Sequence, residues 1–166
     1  MTIQEAIDAI LAATGAAPIA DTVDTVKTGD PTRRLTGVVP IAPLTLADLV
    51  GQLKARLGTA AVRVTGPDDL VCRRVGLLVG APGGRAHIAA LARDDVDAVV
   101  CGEINEWEAC EYARDATFLG RPRGPIVVGH ANSEEAGMAY LATWLRPHLP
   151  DVPITHVPAG DPLRTL

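Results

Sequence analysis

Residues 71–130, VCRRVGLLVGAPGGRAHIAALARDDVDAVVCGEINEWEACEYARDATFLGRPRGPIVVGH, decide the fold. VCRRVGLLVG, DAVVCG and PIVVGH are short runs rich in Val, Leu and Ile that break at glycine, the pattern of buried strands. Between them, GGRAHIAALARD and NEWEACEYARDA place apolar residues at helical spacing. Strands alternating with crossover helices of this length predict an α/β fold with a mostly parallel sheet and right-handed connections. Ligands of such sheets collect at the carboxyl ends of the strands. That singles out three turns: GAPGG at 80–84, GEINE at 102–106 and GHANSEE at 129–135.

Outward from this core, Thr45 is placed to cap a helix running to about Leu57, with Leu46, Leu49, Val50 and Leu53 on one face and Gly58 past its end. AVRVT reads as a further strand, SEEAGMAYLATWLRPHL as a further helix and VPITHV as a last strand. Upstream, Pro40 in LTGVVPIA would cut a strand short or hold it at a sheet edge. Ile3, Ala6, Ile7, Ile10 and Leu11 recur at helical spacing and predict a short helix that stops at Gly15. No repeat, flexible linker or low-complexity tract divides the chain, so residues 1–166 are expected to form one α/β domain.

Of the 166 residues 48% are hydrophobic, enough for one sizeable core, and only 3% are aromatic, which suits Ala/Leu helices on a β-branched sheet. The formal charge of −5 is dispersed, and no basic cluster is interleaved with aromatics, which disfavours a nucleic-acid partner. MTIQEAIDAILAAT lacks a basic leader and no apolar run reaches membrane-spanning length, so a cytoplasmic protein without membrane contact is expected. Cys72, Cys101 and Cys110 are an odd set without CxxC spacing, expected to be buried free thiols.

Among the three turns, GHANSEE carries the sharpest chemistry. His130 leaves the end of a buried strand, Asn132 or Ser133 is placed to cap the next helix, and Glu134 falls in that helix's first turn. An imidazole and a carboxylate converging across a tight turn suit Zn, Mn or Fe, although Glu134 and Glu135 would also complement a helix macrodipole without any metal. Glu103 ends another strand, where a carboxylate can accept a proton or orient water, and Glu106 follows in or near the next helix's first turn; by spacing alone, helix capping and dipole complementarity are the favoured reading of both. Trp107 is expected to pack rather than stack on a ligand. GAPGG could hold an anion on backbone N–H groups at a helix N-terminus, but it matches neither GxGxxG nor GxxxxGK[ST], and a tight packing turn is the favoured reading. His87, His148 and His156 form no ligand spacing and read as packing or surface residues.

PLTLADLVGQLKARLGTAAVRVTGPDDLVCRRVGLLVGAPGG resembles the middle of the Nif-three-like dinuclear metal family, whose members carry the label GTP cyclohydrolase 1 type 2. GEINEWEACEYARDA and IVVGHANSEEAGMAYLATWLRPHLPDVPITHVPAGDP resemble its C-terminal half, and GHxxSE followed by Gly137 and Met138 is the most specific piece. The resemblance implies that His130 and Glu134 are ligands of a divalent metal centre and that Glu103 is a neighbouring catalytic candidate. It also implies a homo-oligomer acting on a small, nucleotide-like substrate by metal-dependent hydrolysis. The family's THHP- or THEP-type histidine motif is missing, since LTGVV runs directly into PIAPLTL. The chain thus resembles a family member with an internal deletion, residues 1–39 being a remnant of the N-terminal half and 40–166 the middle and C-terminal half. An incomplete metal site on a non-catalytic oligomeric interaction module is the alternative reading.

Overall fold

A computed structural model describes residues 37–163; the helix expected over Ile3–Leu11 lies outside them. β1 (Gly37–Thr45) leads into α1 (Leu46–Leu57), β2 (Arg63–Val64) and β3 (Val71–Leu78). α2 (Gly84–Leu91), β4 (Ala98–Cys101), one π-helical turn (Glu106–Cys110) and α3 (Glu111–Phe118) follow, then β5 (Gly124–Val127) and α4 (His130–Leu145). The five strands form one sheet in the order β1-β3-β4-β5-β2.

The centre of this sheet is parallel, β4 pairing with β3 on one side and with β5 on the other. Both edges are antiparallel, β1 on β3 and β2 on β5, so the expected parallel character is confined to the core. The difference is local in origin. AVRVT contributes only two paired residues, Arg63 and Val64, which run antiparallel to β5. β1 is an edge strand, as Pro40 requires, and its register with β3 breaks between Pro40 and Leu44. VPITHV forms no strand. Pro153 removes a ladder donor near the start of that run, and the segment finds no partner in the sheet.

Strand periodicity divides the core into two layers. Cys72, Val75, Leu77, Ala98, Val100, Ile126 and Val128 face α1, which contributes Leu46, Leu49 and Leu53. Leu78, Val99, Cys101 and Val127 face the other way onto Ala90 and Leu91 of α2 and Ala113 of α3. Each fully buried Leu or Val contributes about 1.5–3 kcal/mol of hydrophobic stabilisation. α1 forms as its sequence predicts. The Thr45 hydroxyl accepts the Asp48 backbone N–H at 3.1 Å, and Gly58 closes the helix at φ 64°, a left-handed position that glycine adopts without penalty.

α4 is the longest helix described yet is shallowly embedded. Ala142 is its one buried residue, while Met138, Leu141 and Trp144 are exposed. Trp107 is also exposed, at 76%, contrary to the packing role expected for it. All three cysteines are free; Cys72 and Cys101 are buried and Cys110 is half-buried.

Candidate metal centre

The ends of β3, β4 and β5 bring the three expected turns together. Gly129 N–H donates to the Gly102 carbonyl at 3.1 Å, and Glu103 N–H donates to the Gly80 carbonyl at 2.9 Å. These bonds extend the parallel ladder one step beyond the strands. Gly80 N–H also donates to the Ser133 hydroxyl at 2.9 Å, which in turn donates to the His130 carbonyl at 2.8 Å. Ser133 therefore ties the first turn to the start of α4 and is not an N-cap. The helix begins directly at His130 after Gly129 with no side-chain cap, because Gly129, at φ 95°, makes the turn from strand to helix in a single residue. Asn132 likewise points backwards, donating to the Val128 carbonyl at 2.8 Å.

This early start makes His130 and Glu134 neighbours at i and i+4 on one helical face. His130 Nε2 lies 3.2 Å from Glu134 Oε2. Glu103 reaches the same ring from the β4 end, its Oε1 lying 2.7 Å from Nδ1. The two carboxylates thus occupy opposite nitrogens of one imidazole, which raises the pKa of His130 above the usual histidine value, the Glu103 hydrogen bond acting most strongly. It also means that Glu103 and Glu134 do not share a point in space with one ring nitrogen. Among the described residues no group of three His, Cys, Asp or Glu side chains is arranged to hold an ion.

Glycines shape the site. A Cβ on Gly80, at φ 69°, would collide with Glu134 Oε1 and lie 3.5 Å from His130 Nε2. A Cβ on Gly102 would come within 2.5 Å of the Gly80 carbonyl oxygen and 2.6 Å of the Ser133 hydroxyl. The GAPGG turn is therefore a wall of the His130–Glu134 cradle, a role that neither the packing nor the anion-binding reading of its sequence suggested.

The remaining histidines stand apart. His87, in α2 beneath the GAPGG turn, is fully buried, and neither ring nitrogen has a hydrogen-bond partner of good geometry. Burial pushes its pKa down, and nearby Gly83 and Glu103 backbone groups and the Glu108 charge only partly oppose this. His156 pairs with Glu135 at 2.6 Å, and His148 stacks on Trp144. Glu106 is paired with Arg63, and both line a 690 Å³ cleft together with Ile104, Trp107 and Val127 but with neither His130 nor Glu134.

Fold and site together define an α/β protein with a histidine–carboxylate cluster at the carboxyl end of a parallel sheet core. The sequence profile of the Duf34/NIF3 (NGG1p interacting factor 3) family matches residues 5–161, and the chain belongs to that family. Among solved structures it is similar to protein ybgI, described as of unknown function, at 26% identity and a TM-score of 0.66, covering 93% of this chain and 55% of that one. Two others share the fold at lower identity. A Staphylococcus aureus protein, SA1388, is 19% identical with a TM-score of 0.60 over 78% of this chain and 41% of its own. A Bacillus cereus protein related to NIF3 is 21% identical with a TM-score of 0.58 over 78% and 35%. The chain thus spans about half the length of these relatives or less. No curated protein matches it. Among the described residues no helix is long and apolar enough to cross a membrane.

Proposed function

We propose that the chain is a divalent-metal-binding NIF3 protein in which His130 Nε2 and Glu134 supply one edge of the metal site. The observation that carries this reading is the 3.2 Å between Nε2 and Oε2. With metal–donor bonds of about 2.1 Å, two donors about 90–110° apart around Zn or a similar ion are separated by about 3.0–3.4 Å. The Gly80 cradle supports it, since any side chain there would occupy the space in which the two donors meet. A neutral imidazole with a carboxylate suits Zn, Mn or Fe.

Two donors are too few for a tight site, so the remaining positions are filled by solvent or by a neighbouring subunit in a homo-oligomer. A bound ion would supply Lewis acidity for metal-assisted hydrolysis of a small, nucleotide-like substrate, the GTP cyclohydrolase type 2-like chemistry implied by the resemblance. In that reaction Glu103, 59% exposed in its side chain and directed at His130, is placed to take up or return a proton.

The second reading, a non-catalytic oligomeric interaction module with an incomplete site, is favoured by the exposed Met138, Leu141 and Trp144 of α4. Metal content per subunit in protein purified without chelator separates the two. A metal-binding protein carries an ion that chelation removes and that His130→Ala abolishes. If wild-type protein is metal-free and added Zn²⁺ or Mn²⁺ gives no His130-dependent heat in calorimetry, the interaction module takes first place.

A further inference from the structure

We propose that Glu103 is a positioning residue that fixes the tautomer of His130: it holds the proton on Nδ1 and so leaves the Nε2 lone pair facing Glu134. The inference deepens the metal-binding reading, on which its metal-affinity arm rests.

Three observations carry it. Glu103 Oε1 approaches Nδ1 at 2.7 Å, whereas Glu134 Oε2 lies 3.2 Å from Nε2. A neutral imidazole has one N–H, and the shorter, charge-assisted contact claims it. Second, the approach is built into the backbone. The Glu103 amide is bonded to Gly80, and Gly102 lets the β3 and β4 turns come together where a Cβ would strike both Gly80 and Ser133. The start of α4, which carries His130, is tied to the same β3 turn through Ser133, whose hydroxyl accepts the Gly80 N–H and donates to the His130 carbonyl. The backbones that carry carboxylate and ring are therefore tied to one another, so the pairing requires only that the two side chains adopt the matching rotamers. Third, Glu134 lies one helical turn on at Nε2, so the nitrogen left unprotonated is the one that already has a second donor beside it. A ligating histidine whose other ring N–H is held by a carboxylate is fixed in orientation and made more basic. Free imidazole favours the opposite, Nε2–H form, which would block the edge facing Glu134.

The first test is nitrogen-detected NMR of the metal-free protein above the titration range of the ring, with the His130 signals assigned by their loss in His130→Asn. Expected is the Nδ1–H tautomer in wild type, retained in Glu103→Gln, whose side-chain oxygen still accepts the hydrogen bond, and a shift toward Nε2–H in Glu103→Ala. An Nε2–H ring in wild type, or an Nδ1–H ring unchanged in Glu103→Ala, overturns the proposal. The second test is calorimetry with Zn²⁺ alone. Loss of the carboxylate lowers His130-dependent affinity about 10–100-fold, with Glu103→Gln falling between wild type and Glu103→Ala. Where wild type binds Zn²⁺, an equal affinity in Glu103→Ala overturns it. A wild type that binds no Zn²⁺ but shows a Glu103-dependent Nδ1–H tautomer sinks the metal-binding reading and leaves the positioning role supported. Glu103 is exposed and outside both cores, so its variants fold.

Discussion

Gly80→Ala separates the cost of a strained turn from the cost of a blocked site. Gly80 sits at φ 69°, and an L-residue there loses roughly 1–2 kcal/mol through contact of its Cβ with backbone. For a chain of this size that lowers Tm by about 2–8 °C, taking about 2–4 °C per kcal/mol. The new methyl also collides with Glu134 Oε1, which must give way by about 1 Å to restore an ordinary C···O separation. That movement is cheap for folding, because the Glu134 side chain is 46% exposed and flexible. It is not cheap for the site, because it pulls the carboxylate off the His130 edge. Gly58→Ala is the control: its φ of 64° imposes the same strain, and nothing lies within 4 Å of its added Cβ. Thermal melts and zinc calorimetry on both variants should show similar losses of stability, with weakened zinc binding in Gly80→Ala alone. Equal zinc affinity in the two variants would refute the cradle.

Three further outcomes are expected. His87 has its pKa lowered by burial, so the unfolded chain, with an ordinary histidine value of about 6.5, binds a proton that the folded chain resists. Its stabilising contribution is complete above that value and is lost as pH falls toward the folded pKa; His87→Leu should flatten this acid limb in urea melts, and an unchanged profile would count against a buried neutral ring. Burial pushes the Cys72 thiol up to about 11 and the Cys101 thiol up to about 12, so a thiolate-selective alkylating reagent should modify Cys110 first and reach the other two on unfolding; early labelling of Cys101 would contradict the buried strand. The apolar residues on α4 predict self-association visible as a dimer or larger by light scattering at micromolar concentration, and a clean monomer there would oppose it.

The central βαβαβ unit was legible because its signals agree. β-Branched runs, glycine stops and helical spacing all point the same way across residues 71–128. The sheet edges were not legible in that way. Both β1 and β2 run antiparallel to their neighbours, which no local pattern announces, and VPITHV has the composition of a strand but joins neither edge of the described sheet. The start of α4 was misplaced for a related reason. Asn132 and Ser133 are strong caps by residue type, but their polar atoms are taken by Val128, Gly80 and His130, so the glycine before them begins the helix.

That shift of start decides how the site is read. With a cap at Asn132 or Ser133, His130 would lie on extended chain and could meet Glu134 only through the turn. With the helix beginning at His130 the two are one turn apart, and their separation is set by helix geometry rather than by a loop. Spacing along the chain identified His130, Glu134 and Glu103 as candidates, yet it could not say which edge of the imidazole each carboxylate would meet. That information resides in the β3–β4 contact, where Gly80 and Gly102 let two turns approach closely enough for Glu103 to reach Nδ1. The division of labour between the carboxylates is thus a property of the sheet, and substitutions at the two glycines should perturb it even though neither has a side chain to contribute.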